Sequence, residues 1–121
     1  MGNAFSHYLL VKIKKLYMNF KQIGFLWENL IKASYINDPY GWNKISSFVG
    51  KESCYLLIFD GEKEKVFKIH SGLDLNLLLS NTFGFEFFVT NDKVTYLICF
   101  THHDQLIGCG SAMIWIDELK K

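Results

Sequence analysis

Apolar residues in the first third of the chain recur at the spacing of an α-helix. Residues 5–23 separate an apolar stripe from a stripe of lysine, asparagine and glutamine, which predicts an amphipathic helix. The apolar stripe that we expect to face the core comprises Phe5, Leu9, Ile13, Leu16, Phe20 and Ile23. Residues 25–34 resume the helical spacing after a glycine. A turn at residues 37–41 and a short helix at residues 42–49, ended by a glycine, are predicted to follow.

Beyond this helix the pattern becomes that of β-strands. Residues 55–59 form a continuous apolar run and residues 65–70 alternate between apolar and polar, so the charged segment between them predicts a first hairpin. Residues 73–79 fit either a helical turn or a strand, and the polar residues that bound them favour a short helix. Residues 105–116 contain two glycines and end in the apolar run SAMIWI, which predicts a final strand with a bulge or a bend.

The central element of this half is a hairpin at residues 85–100. Its strands are rich in Phe, Val, Thr and Tyr, and residues 91–93 supply the turn. Both faces of these strands are apolar, so we expect the N-terminal helices to cover one of them. Helices followed by strands predict an α+β fold, with N-terminal helices packed on an antiparallel sheet of about five strands.

The length and composition provide ample apolar material for the core of one domain. The chain has 121 residues, of which 50% are apolar and 17% are aromatic. We therefore expect a single domain over residues 1–121. Residues 1–50 are predicted to be mainly helical and residues 51–121 mainly sheet.

The charges are divided unevenly along the chain. Residues 1–70 carry ten lysines and six acidic residues, whereas residues 71–121 carry three lysines and six acidic residues. This division favours electrostatic steering of a partner. Every basic residue other than histidine is lysine, so the chain has no guanidinium group for bidentate contacts with phosphates or guanine. We expect no specific nucleic-acid binding.

The cysteines and the hydropathy indicate the compartment. Cys54, Cys99 and Cys109 are odd in number, lack CxxC spacing and lie in or beside apolar segments, so we expect buried free thiols in a reducing compartment. No apolar run approaches the roughly eighteen residues of a membrane span, and the N-terminus lacks the pattern of a signal peptide. The sequence therefore predicts a cytoplasmic protein, and membrane insertion is not expected.

The first six residues, MGNAFS, match the pattern for N-myristoylation at Gly2. Lys12, Lys14 and Lys15 follow closely, and one acyl chain with a basic patch is sufficient for stable membrane attachment. A chance match to so short a pattern is the alternative, and it is the one we favour.

A polar cluster at the end of the central hairpin contains the candidate chemistry. His102, His103 and Asp104 are the candidate catalytic residues, because histidine transfers protons near neutral pH. In a regular strand, His102 and Asp104 share a face whereas His103 points away. A metal site therefore requires a ligand from another segment. His70 or Asp60 is available for this, and the candidate metal ligands are His70, His102 and Asp104.

The alternative is that these polar residues simply end a strand, with one histidine bonded to a backbone carbonyl group. The chain contains no HExxH motif and no Cys-His pattern of a zinc site. It also lacks a complete nucleotide-binding fingerprint around Gly108 and Gly110. We therefore predict no cofactor, and we favour the view that the protein is not an enzyme.

The C-terminal half resembles small, uncharacterised bacterial proteins found among the immunity proteins of polymorphic toxin systems. The segments EFFVTN, YLICF, THHD and LIGCG carry this resemblance, in that order, over residues 84–110. The chain has Thr101 where the family pattern has asparagine. The resemblance implies a single-domain cytoplasmic protein that binds and blocks a partner, and it assigns no catalytic residues.

Two functions from different classes follow. The first is a noncatalytic binding protein of the immunity type, which neutralises a bacterial toxin by protein–protein contact, with aromatic residues as anchors and charges that set the encounter rate. The second is a small metal- or histidine-dependent hydrolase that uses His102, His103 and Asp104 with His70, with zinc as the metal in its metal-dependent form. The small size, the surplus of aromatic residues, the divided charge and the incomplete motifs favour the first.

Overall fold

The computed structural model describes residues 3–17, 30–60, 63–81 and 86–121. Within these residues the chain forms four α-helices, one 3₁₀ turn and six β-strands. Their order is α1 (Asn3–Tyr17), β1 (Ala33–Asn37), the 3₁₀ turn (Gly41–Lys44), α2 (Ile45–Val49), β2 (Cys54–Asp60), β3 (Lys63–Ile69), α3 (Gly72–Ser80), β4 (Phe87–Thr90), β5 (Tyr96–Phe100), β6 (Gln105–Gly110) and α4 (Ser111–Leu119).

The strands of the described segments form one antiparallel sheet in the order β1-β6-β5-β4-β2-β3. Every residue of the central strands β4 and β5 is buried, because helices cover both faces of the sheet. The predicted α+β fold with the N-terminal helix packed on the sheet is confirmed. The sheet has six strands rather than about five, and β1 is the strand that the sequence analysis did not include.

Each face of the sheet has its own hydrophobic core. Helices α2, α3 and α4 cover one face, where Leu75 and Ile116 pack over Leu56, Val89 and Ile98. Helix α1 covers the other face. There its residues Leu9 and Ile13, 0% and 1% exposed, contact a row of side chains that lie opposite one another on neighbouring strands. This row consists of Leu57, Phe88, Cys99 and Ile107.

Several local predictions are confirmed. The hairpin of β2 and β3, the helix α3 and the turn between β4 and β5 lie where the polarity pattern placed them. Helix α2 ends at Gly50, whose φ of +64° suits the helix terminus. Residues 18–29, 61–62 and 82–85 lie outside the described residues, as does the part of the predicted first helix beyond Tyr17.

The prediction of a helix over residues 25–34 is wrong at its end. Ala33 begins β1, which pairs with β6 and alternates between exposed and half-buried positions. The segment ASYIN has the two-residue alternation of an edge strand, and Ile36 packs against the core. Lys32, immediately before the strand, has a φ of +52°, which is incompatible with a right-handed helix.

The prediction of a strand through residue 116 is also wrong. β6 ends at Gly110, and the run SAMIWI forms the first part of α4. Ala112 and Ile116, four residues apart, are buried on the same side of this helix, so the five-residue apolar run at residues 112–116 has the helical period. Consequently β1 lies in the half predicted to be helical, and α3 and α4 lie in the half predicted to be sheet.

Candidate functional site

The candidate catalytic residues lie in a tight turn between β5 and β6. The buried Thr101 begins this turn, and its Oγ1 accepts hydrogen bonds from the N–H groups of His103 at 3.1 Å and Gln105 at 3.3 Å. Asp104 adopts a φ of +62° and donates its N–H to the Thr101 carbonyl oxygen at 3.1 Å. The Asp104 carbonyl oxygen accepts from the N–H of Asp38 at 2.8 Å. These bonds fix the turn against the loop that follows β1.

The turn brings the two histidines together. Their ring centroids are 3.9 Å apart, so the opposite orientation that a regular strand would impose on His102 and His103 does not occur. The reason is that residues 101–104 have left the sheet. Glu86, which precedes β4, places its Oε2 atom 2.6 Å from Nδ1 of His102 and accepts the His102 N–H at 3.2 Å. A carboxylate in this position orients the imidazole ring.

Glu86 was not among the residues singled out from the sequence. The register of the hairpin contains the signal, because Phe87 lies opposite Phe100 and the residues next to them must therefore meet at the same end of the sheet. The pair is partly open to solvent, since the side chains of His102 and Glu86 are 39% and 21% exposed. It is therefore a solvent-accessible hydrogen-bonded pair rather than a buried one.

The candidate metal ligands are not brought together. His70 follows Ile69, and Ile69 pairs with Cys54 at the start of β2. The histidine turn follows Phe100, which pairs with Phe87, and Phe87 in turn pairs with Ile58 near the end of β2. At the usual rise of a strand, Cys54 and Ile58 are about 13 Å apart along β2. His70 therefore lies toward the opposite end of the sheet from His102 and Asp104. Among the described residues no group of three His, Cys, Asp or Glu side chains is suited to a metal ion, and the Asp60 side chain is not described.

Replacing Thr101 with valine is expected to lower the free energy of unfolding by about 2 kcal/mol, because two backbone N–H groups lose their acceptor. Thr101→Ser retains the hydroxyl group and should lose less than half of that amount. Urea denaturation of both variants measures the difference. Equal losses in the two variants would contradict the role of the hydroxyl group.

The three cysteines have the environment of structural thiols. Cys54, Cys99 and Cys109 are each 0% exposed and free of disulfide bonds, which confirms the predicted burial. Burial raises the pKa of the Cys54 and Cys109 thiols from 9.0 to about 12, and it raises the pKa of Cys99 well above 9.0. A thiol with so high a pKa is a poor nucleophile near neutral pH.

This burial predicts a pH dependence of stability. The folded protein holds the thiol protons more tightly than the unfolded chain, so the stabilisation is complete below about pH 9 and is lost as the pH rises toward 12. We expect the urea midpoint to fall above about pH 9 and a thiol reagent to modify no cysteine of the native protein at pH 8. A midpoint that rises over this range, or rapid modification of a native thiol, would contradict this account.

Helix α1 has an apolar side that does not contact the sheet. Tyr8, Val11 and Leu16 are 45%, 48% and 46% exposed, although Leu16 was predicted to face the core. They line a shallow depression of about 430 Å³. His7, Lys12 and Lys15 complete its lining. We call these six residues the α1 outer surface.

Helix α1, which carries the α1 outer surface, is anchored to the sheet at both ends. The Tyr17 hydroxyl group donates to the Val94 carbonyl oxygen at 2.7 Å, at the turn between β4 and β5. Near the other end of α1, the rings of Phe5 and Tyr55 have centroids 4.9 Å apart. With Leu9 and Ile13 buried between these points, the helix is attached to the sheet along its length.

A second group of exposed apolar side chains lies on α3. Leu73 and Leu77 are one helical turn apart and are 69% and 55% exposed. Helix α3 is one of the helices that cover the face of the sheet opposite to α1. Asp74, beside the two leucines, is exposed as well. This group lies over a different core from the α1 outer surface, and it therefore offers a matched control for experiments on that surface.

The described chain thus offers two candidate sites, namely the Glu86–His102 pair with the neighbouring ring of His103, and the α1 outer surface. No helix among the described residues is both long enough and apolar enough to cross a bilayer. Comparison of the chain with protein-family models, with curated proteins and with solved structures gives no match.

Proposed function

We propose that the protein is a noncatalytic binding protein that acts by contact with another protein through the α1 outer surface. The observation that carries this proposal is the exposure of Tyr8, Val11 and Leu16, each close to half exposed, around one depression. Apolar side chains grouped in this way favour a contact that removes them from water.

Burial of this surface would contribute a useful part of the binding energy of a complex. Complete burial of a large apolar side chain contributes about 1.5 to 3 kcal/mol, so burying the exposed half of three such side chains contributes about 2 to 4 kcal/mol. The helix is already attached to the sheet, and a partner therefore does not have to order it on binding. A few such anchors commonly supply most of the affinity of an interface.

The resemblance over residues 84–110 supports a partner of the toxin class. These residues contribute β4, β5 and β6, and the side chains Cys99 and Ile107 of two of these strands belong to the core beneath α1. In this proposal, residues 84–110, which carry the resemblance to immunity proteins, contain strands that support α1, and α1 presents the contact surface. The protein would then neutralise a bacterial toxin by occluding its active site.

The alternative, a small histidine-dependent hydrolase, rests on the 2.6 Å contact between His102 and Glu86. Its zinc-dependent form is weakened by the position of His70 at the opposite end of the sheet. The nearest hydroxyl group in the turn belongs to Thr101, which is 1% exposed and already accepts two backbone hydrogen bonds. For these reasons we rank it below the binding function.

Co-expression with the product of the neighbouring gene tests the proposal. We expect the two proteins to copurify and the cells to be protected from the toxicity of that product. His102→Ala and His103→Ala should leave both results unchanged, because these side chains lie away from the α1 outer surface. The absence of both a complex and protection would refute the proposal, and protection lost only in the histidine variants would favour the hydrolase.

A further inference from the structure

We infer that the partner of the α1 outer surface is an acidic protein segment with an apolar side chain at its centre. Its carboxylates would lie against Lys12 and Lys15, while the apolar side chain enters the depression beside Val11. This inference rests on the proposed function and names the chemical class of the partner at the same surface.

Charge is the first argument. Helix α1 carries Lys12, Lys14, Lys15 and His7 and contains no acidic residue. Within the described part of the chain, no carboxylate lies at ion-pair distance from Lys12 or Lys15, since the lysine ion pairs there involve other lysines. The ammonium group of Lys12 instead donates to the Tyr8 hydroxyl group at 3.2 Å. The surface therefore presents positive charge that a partner's carboxylates can neutralise.

The geometry of the lysines is the second argument. Lys12 and Lys15 are three residues apart and lie on neighbouring positions of the helix surface, with Cβ atoms about 5 to 6 Å apart. The Nζ atom of Lys12 is 5.6 Å from the centroid of the Tyr8 ring, and this contact restricts the side chain before binding. Two carboxylates spaced by one turn of an acidic helix match this arrangement.

The shape of the surface favours a protein segment over a lipid bilayer. Helices that bind a bilayer surface insert their most apolar face into it. The most apolar face of α1 is occupied, because Leu9 and Ile13 are buried against the sheet. The outward side is a depression, and a concave apolar surface suits an inserted side chain better than the flat surface of a bilayer.

Peptide binding to the full chain tests this inference. The probe is a synthetic peptide with glutamate and leucine at helical spacing, and the comparison peptide has every glutamate replaced by glutamine. We expect the glutamate peptide to bind about tenfold more tightly at low salt, with backbone amide shifts confined to α1. The double variant Lys12→Gln/Lys15→Gln should abolish the difference. The control Lys51→Gln/Lys121→Gln changes the net charge equally and should preserve it.

Four outcomes would overturn the inference. These are equal binding of the two peptides, no binding of either peptide, equal loss in the control variant, and stronger binding to vesicles of phosphatidylserine and phosphatidylcholine than to the glutamate peptide. The failure of the proposed function is distinguishable from this. Suppose that truncation of Tyr8 and Leu16 releases the copurifying partner but the lysine changes do not. The proposed binding function is then supported, whereas the inference that the partner is acidic is refuted.

Discussion

Replacing Gly108 with alanine is expected to lower the free energy of unfolding by about 3 kcal/mol. Gly108 lies in β6 beneath α4, and a Cβ atom added there would be 2.6 Å from the Ala112 carbonyl oxygen and 2.7 Å from Cγ1 of Ile116. The first of these atoms belongs to the backbone, so rotation of a side chain does not relieve the contact. Helix α4 must move away from the sheet, and part of the core is lost with it.

Urea denaturation measures this loss, and Gln105→Ala in the same strand is the control. Gln105 is only partly buried, so its truncation should cost less than about 1 kcal/mol. A Gly108→Ala protein with the wild-type midpoint would contradict the close approach of α4 to β6. Such a result would mean that α4 does not pack tightly on β6 at this position.

The double variant Tyr8→Ala/Leu16→Ala is expected to weaken binding of the copurifying partner about 100-fold, which corresponds to about 2.7 kcal/mol. The change removes two of the three apolar side chains of the α1 outer surface. Both residues are close to half exposed and alanine favours helix formation, so the fold should be retained. Isothermal titration calorimetry measures the affinity, and the circular dichroism spectrum should match that of the wild type.

The matched control for this variant is Leu73→Ala/Leu77→Ala on α3. It also removes two exposed apolar side chains, in this case from a helix over the other face of the sheet. We expect the affinity for the partner to change less than about twofold. An equal loss in the two double variants would indicate a nonspecific hydrophobic effect and would contradict a contact centred on α1.

The central strands were predictable from the sequence because both of their faces are buried. Phe88 and Val89 contact different cores, so the strand is apolar throughout and its residue types favour a sheet. β1 was missed because an edge strand of five residues has no apolar run. The run in α4 was assigned to a strand because five consecutive apolar residues, 112–116, fit either period.

The candidate site was less predictable for two physical reasons. Periodicity correctly placed Leu9 and Ile13 in the core, but it also placed Leu16 there, and it did not identify the exposed apolar side chains of Tyr8 and Val11. The contact of Glu86 with the histidine turn joins residues 16 positions apart. It depends on hairpin register, which the polarity pattern alone does not fix.

Hydrogen exchange of the complex tests the central claim most directly. We predict that binding of the copurifying partner slows amide exchange in peptides from residues 3–17. Peptides covering α3 and residues 101–104 should exchange at the rates of the free protein, because neither segment belongs to the α1 outer surface. Slowed exchange at residues 101–104 or in α3, with residues 3–17 unchanged, would contradict the account.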